Sequence, residues 1–178
     1  DAMGLTSRIV LDANIYTMNN RAEAFWMKKG ILGDTVPLEL NAKELVHRNN
    51  KNSELTVYGY TPMMVSVQCV QKTMDHCNHA CVQYVLKDRY QKEFRGVCSC
   101  EFCYNTIYNT LPTSLLKEKE KAEKLGVKAY RLSFTTETQQ ETEKIVRAFV
   151  DVYLRGQKPD GQMQTEETTK GHFQRGVE

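Results

Sequence analysis

The sequence predicts an α/β fold of about four strand–helix units, with a cysteine-rich insertion after the third strand. Three observations carry this. Short apolar runs alternate with capped or amphipathic helical stretches, the pattern of parallel strands joined by crossover helices. At 178 residues the chain holds one ordinary domain. A closed eight-stranded barrel takes about 250 residues, so the units form either a small open sheet or part of a barrel. All six cysteines lie between Cys69 and Cys103 and interrupt the alternation.

Residues 8–15 (R-I-V-L-D-A-N-I) read as a buried strand. Asn19 and Asn20 offer an N-cap to a helix over 21–29, with Ala22, Phe25 and Trp26 on one face and Gly30 as its stop. A second strand follows at 35–40 (T-V-P-L-E-L), then a helix over 42–48 capped by Asn41. The third strand is 54–60 (E-L-T-V-Y-G-Y), ended by Pro62, with 63–70 also extended. Within the cysteine window, 84–94 reads as a hairpin turning near Asp88 and Arg89. Pro112 and Thr113 introduce a helix through Leu125, closed by Gly126, and 128–134 (K-A-Y-R-L-S-F) is the fourth strand. Thr136 and Gln139 suggest a capping box before a helix reaching about Arg155. Its Ile145, Ala148, Phe149 and Val152 recur at helical spacing and form the clearest amphipathic face in the chain. The tail from Gln157 is polar and reads as irregular. The organisation expected is a domain over 1–156, with the insertion at 61–110, and a tail over 157–178.

Composition narrows the class. Hydrophobic residues are 40% and charged residues 26%, ordinary for a globular chain. Lys and Arg total 24 against 22 Asp and Glu, a net charge of +2, which excludes a basic nucleic-acid arm and an acidic tail. A local basic pocket for RNA is compatible with this. No apolar run reaches the roughly 18 residues a membrane helix needs, and no leader pattern opens the chain. A cytoplasmic, non-membrane protein is expected. Asp1-Ala2-Met3 reads as a vector scar or a cut into a longer protein.

The cysteines are Cys69, Cys77, Cys81, Cys98, Cys100 and Cys103. A C-x-x-C turn, here Cys100 and Cys103, aims two thiolates at one ion. With Cys69 and Cys77 it supplies four thiolates, suited to tetrahedral Zn or to a [4Fe–4S] cluster. Cys81 and Cys98 are then the spares. Disulfides fit an oxidising compartment, buried cysteines fit simple packing, and a redox C-x-x-C needs a strand before it and a helix at it. His76 and His79 flank Cys77 and are alternative ligands.

These residues bring a family into view. The stretches 54–69 (E-L-T-V-Y-G-Y-T-P-M-M-V-S-V-Q-C), 86–90 (L-K-D-R-Y), 100–109 (C-E-F-C-Y-N-T-I-Y-N), 131–137 (R-L-S-F-T-T-E) and 171–178 (G-H-F-Q-R-G-V-E) resemble the peptidase U32 family, the collagenase-like proteases. The upstream D-A-N-I-Y-T-M-N and P-L-E-L-N also fit, so nearly the whole chain is covered. The resemblance implies the C-terminal half of a TIM-barrel-like module, whose N-terminal half lies outside this sequence. It implies one of two activities. Some members are described as peptidases of unknown catalytic type. Others hold a [4Fe–4S] cluster on four cysteines and hydroxylate tRNA, ribosomal RNA or ubiquinone without oxygen, with prephenate as the suggested hydroxyl source. The matching cysteines are Cys69, Cys77, Cys100 and Cys103. One departure stands out: many members carry Gly-Ser/Ala-x-Cys after the Glu-containing strand, whereas Gly59 is followed here by Tyr60, Thr61 and Pro62.

The remaining candidates are polar residues in apolar surroundings. Glu39, Glu54 and Arg131 sit in expected strands and are the catalytic candidates, with ion pairing as the alternative for each. His172 and Arg175 can bind a ligand or cap the fold. Asp12 and Asn14 can contact substrate or cap a loop, and Tyr104, Tyr108 and Asn109 can pack beside a cluster. The run from Lys117 to Lys124 alternates with Glu118, Glu120 and Glu123 and reads as a solvated helix face. No Ser-His-Asp spacing, H-E-x-x-H or phosphate loop is present. Expected partners are the missing half-barrel or a second copy of the chain, docking on open sheet edges, and an RNA or peptide substrate. A non-catalytic module built on structural zinc is the remaining reading.

Overall fold

A computed structural model describes residues 5–75, 77–160 and 167–176. In chain order, β1 (Val10–Leu11) leads to α1 (Asn20–Lys28), β2 (Gly33–Thr35), α2 (Ala42–Leu45) and β3 (Ser53–Gly59). The insertion then runs through β4 (Pro62–Ser66), α3 (Val70–Thr73), β5 (Val82–Lys87), β6 (Glu93–Ser99) and β7 (Tyr104–Tyr108). The chain returns by β8 (Thr113–Ser114) to α4 (Lys119–Lys124), β9 (Ala129–Ser133) and α5 (Gln139–Phe149).

The first sheet is parallel in sequence order, β1 beside β2, β2 beside β3, and β3 beside β9. Each parallel neighbour is reached by a crossover that includes helix, as parallel pairing requires. The short β8 pairs antiparallel with the end of β3, at Tyr58 and Gly59, on the side away from β9. Among the described residues the sheet is open and no barrel closes, so the architecture is mixed α/β with two sheets. Leu55 and Val57 of β3 bury against Leu116, Ala122, Leu125, Ala148, Phe149 and Val152, which form the main core with Val36, Leu45 and Phe173. Of the face expected on the last helix, Ala148 and Phe149 of α5 and Val152 in the π-helical turn Val150–Leu154 that follows it are buried, and Ile145 packs against them partly buried.

The second sheet is the insertion. Its strands run β4-β7-β6-β5, all antiparallel, with Cys98 opposite both Val82 and Asn105. The Asp88 side chain accepts from the Tyr90 and Lys92 amides and turns the hairpin where the sequence placed it. Residues 63–70 are only partly extended, because α3 begins at Val70.

Several expected elements are shorter or shifted. The strand at 8–15 is reduced to Val10–Leu11, since Asp12 Oδ1 accepts from the Ala13 amide and starts a 3-10 turn over Ala13–Ile15. The strand at 35–40 ends at Thr35, ahead of Pro37, which has no N–H to give a ladder. Glu39 therefore sits in a turn. The helix at 42–48 keeps four residues, held by an Asn41–Glu44 capping box. Thr113 opens a strand instead of a helix; a 3-10 turn at Leu116–Glu118 precedes α4. The capping box of α5 is Thr138 with Glu141, two residues beyond the expected pair. On α1, Phe25 is 54% exposed while Glu23 is buried and accepts from Asn49. The tail is not wholly irregular: Thr169 bridges Thr113, and a 3-10 turn over Gly171–Phe173 sends Phe173 into the core.

Asp34 and Arg48, 0% and 2% exposed at their side chains, form an ion pair beneath β2 and β3. Arg48 also donates to the Thr17 carbonyl (2.8 Å), Asn50 Oδ1 (2.9 Å) and Ser53 Oγ (2.9 Å). Ser53 Oγ in turn donates to Asp34 Oδ1 at 2.6 Å. Among the described residues no helix is long and apolar enough to cross a membrane.

Candidate metal centre

Strand register gathers the cysteines at one end of the second sheet. β6 ends on Cys98 and Ser99, and a tight turn through Cys100 and Cys103 feeds β7. That turn closes with Phe102 N–H donating to the Ser99 carbonyl at 3.2 Å, and Cys103 takes a left-handed φ of 52°. On the other side of β7, β4 runs out into Cys69, the residue before α3. The buried Asn105 of β7 donates from Nδ2 to the Gln68 carbonyl at 2.9 Å, which pins the Cys69 segment beside Cys98. Ala80 is drawn in as well: its carbonyl accepts from Cys100 Sγ at 2.9 Å.

The result is a short chain of thiols. Cys98 Sγ lies 3.8 Å from Cys69 Sγ and 3.4 Å from Cys100 Sγ. Cys98 is 1% exposed, and burial, together with its two sulfur neighbours, pushes its thiol up to about 12. Cys69 moves the other way. The Lys72 backbone amide at the start of α3 holds its thiol below the ordinary range, against the effect of burial. The two thiols in contact are thus shifted in opposite directions.

The cysteines named from sequence are distributed differently from the expected pairing. Cys69 and Cys100 both touch Cys98, which sequence spacing had set aside as a spare. Cys77 and Cys81 are exposed in the segment between α3 and β5. Cys103 is exposed, and its Sγ donates to the Cys100 carbonyl at 3.6 Å. All six are free thiols. Among the described residues no group of three or more His, Cys, Asp or Glu side chains converges as a metal-holding set. His76 lies outside the described residues; His79 has a left-handed φ of 57°. Thiols are donors that thiophilic metals take; three lie on neighbouring strand ends, and Cys77, Cys81 and Cys103 are exposed on the connecting segments. The signal for Cys98 was available in the sequence, because Cys98 and Cys100 are two apart at the end of a strand and share a face.

Tyr84 of β5 lies across Gly96 of β6, where an added Cβ would come within 2.4 Å of the ring. Its hydroxyl is buried without a hydrogen-bond partner among the described residues. Burial raises its pKa, with smaller contributions from Cys98 and Cys69.

The candidate catalytic residues lie elsewhere. Arg131 Nη1 donates to Glu54 Oε1 at 2.6 Å and to Thr35 Oγ1 at 3.0 Å, so one side chain of β9 spans β3 to reach β2. Glu54 is the second residue of β3 and belongs to the N-terminal end of the parallel strands. Chemistry in such sheets gathers at the opposite end. The pair is partly solvated, at 43% and 24% side-chain exposure. Glu39 joins neither residue; it is half-buried in its turn after β2. His172 Nδ1 is engaged with the Gly176 carbonyl at 2.9 Å, and Arg175 is exposed. Asp12 caps its turn, and Asn14 donates to it. Tyr104 stacks with Phe102 on the Cys100–Cys103 turn, Tyr108 and Asn109 follow along and beyond β7, and Asn109 Oδ1 accepts from the Thr110 amide. In the Lys-rich run Lys119–Glu123 is the expected i,i+4 pair, whereas Lys121 pairs with Glu118 at i,i+3 and Glu118 is buried, off the solvated face.

No family model, curated protein or solved structure matches the chain.

Proposed function

We propose that the chain is the C-terminal half of a U32-type TIM-barrel module, and that its second sheet holds a [4Fe–4S] cluster on four of its six cysteines. The activity proposed is oxygen-independent hydroxylation of RNA or a related substrate. One observation supports this above the others: two segments distant in sequence, one carrying Cys69 and the other Cys98 and Cys100, bring these cysteines together at one end of the second sheet. The sequential order of β1, β2, β3 and β9 is that of consecutive barrel strands. The open flank at β1, where Ile9, Val10 and Ile15 are exposed, is where the other half-barrel would pack.

Cys69, Cys98 and Cys100 would anchor the cluster, and Cys77 or Cys103 would close the set from the exposed segments. When bound, a cluster of this kind supplies electron transfer or activation of a substrate oxygen. The protein's part is to keep Cys98 dry beneath the sheet and to lower the proton affinity of Cys69 through α3. Serine substitution of each cysteine, read as iron and sulfide content after anaerobic purification, tests the assignment. Loss on changing Cys69, Cys98 or Cys100 is expected; retention with all three changed would sink it.

A second reading rests on a specific distance. Four thiolates around one zinc ion, with Zn–S near 2.3 Å, stand about 3.8 Å apart. The sulfur separations of 3.8 and 3.4 Å are close to that edge. Thiolates on four different irons point outward and spread more widely. Stoichiometric zinc without iron would favour this reading and make the insertion a structural module. For peptidase activity, the other implication of the family resemblance, His172 directs its Nδ1 at a carbonyl and not at a nucleophile. Cleavage of gelatin by protease-free protein would support that activity.

A further inference from the structure

A cavity of about 350 Å³ lies between β5 and β6 of the second sheet and the segments that leave β7 and β9. It sits at the C-terminal end of the parallel sheet, where α/β folds place their ligands. Tyr84 and Gly96 form one wall, and Thr110 and Thr136 line it from the other side. Gly96 is required there, because any side chain would strike the Tyr84 ring.

The cation in this cavity is Arg95. Its guanidinium stacks 4.9 Å over the Tyr60 ring, directly after β3, and Nη1 donates to Thr136 Oγ1 at a long 3.3 Å. A guanidinium carries five N–H donors, and this is the one hydrogen bond Arg95 makes among the described residues. It forms no ion pair there either. The one carboxylate lining the cavity, Glu93, is already paired with Lys87 at 2.9 Å. A half-buried guanidinium held over an aromatic face, beside two threonine hydroxyls, makes no direct bond to a carboxylate among the described residues; Glu141 acts on it only at longer range and accepts from the Thr138 amide at the start of α5. We propose that this cavity binds a small oxyanion-bearing ligand, a carboxylate or a phosphate, with Arg95 as the anchoring cation and Thr110 and Thr136 as supporting donors. The proposal is independent of what the cysteines hold, so it can fail while the metal centre stands, and the reverse.

The test is calorimetric titration of the 178-residue chain with sodium phosphate and with sodium malonate, against potassium chloride at matched ionic strength. Saturable one-to-one binding of either anion, absent with chloride, is expected. Binding of phosphate alone assigns a phosphoryl ligand; binding of malonate alone assigns a carboxylate. Arg95→Gln should weaken it by about 10-fold or more, the usual cost of one charge-assisted hydrogen bond. Arg95→Lys should fall between the two, since it keeps the charge without the fork. Thr136→Val keeps the guanidinium and should weaken binding by roughly threefold, a neutral hydrogen bond's worth; it decides the matter if Arg95→Gln fails to fold. No saturable binding up to about 10 mM, weaker than a millimolar site, would overturn the proposal. So would unchanged affinity in Arg95→Gln, or in Thr136→Val should Arg95→Gln not fold.

Discussion

Removing the Asp34 carboxylate tests how the first sheet is held together. The side chain is 0% exposed, and three groups converge on it: the Arg48 guanidinium and the hydroxyls of Thr17 and Ser53. Asp34→Ala leaves Arg48 buried as an uncompensated cation at 2% exposure. Breaking a buried pair in this way costs about 3–5 kcal/mol, a large share of the roughly 5–15 kcal/mol that holds a domain together. At about 2–4 °C per kcal/mol for a chain of this size, the melting temperature should fall by roughly 6–20 °C. Urea unfolding followed by far-ultraviolet circular dichroism measures the loss. Adding Arg48→Met removes the stranded charge, so the double variant should be more stable than the sum of the two single losses predicts. A loss below about 1 kcal/mol for Asp34→Ala, or strict additivity in the double variant, would refute the reasoning that this pair carries desolvated charge.

Other consequences can be measured on the same protein. Cys98→Ser removes the thiol shared by both sulfur contacts and should abolish metal or cluster retention, whereas Cys81→Ser should leave it intact; metal analysis after desalting checks this. In the metal-free chain the Cys98 thiol is raised from its ordinary value of 9.0 to about 12, so the folded state holds that proton more tightly than the unfolded one. Its contribution is whole below about pH 9 and is lost as pH climbs from 9 towards 12; urea midpoints against pH, compared with Cys98→Ala, should show the difference in that window. Phe173→Ala should cost about 3 kcal/mol, because the tail's 3-10 turn sends that ring into the main core. A cost near zero would mean that the tail does not dock.

Much of the parallel sheet was legible in the sequence because its signals are local. Asn19, Asn41 and Gly30 cap or stop their helices where their side chains, or the lack of one, predict. The face of α5 follows from spacing alone. Where the structure departs from the pattern, the cause is competition that a period does not reveal. Asp12 diverted a run that looked like strand into a turn, and Pro37 cut the next one short. Phe173 was hidden in a polar tail because a single apolar residue has no periodicity. The metal candidate was half legible: clustering of the cysteines was visible, but which sulfurs meet depends on antiparallel register. The pairing of Cys98 with Val82 and Asn105 puts it between Cys69 and Cys100. The Asp34–Arg48 pair and the Arg95 cavity were invisible for the same reason, since each joins segments that the sequence separates.

The most direct test of the proposed cluster is anaerobic purification followed by a visible spectrum and iron, sulfide and zinc analysis on one sample. A broad brown absorption with about four iron and four sulfide per chain is the predicted result. A colourless protein with neither iron nor sulfide, after reconstitution with both, would contradict it.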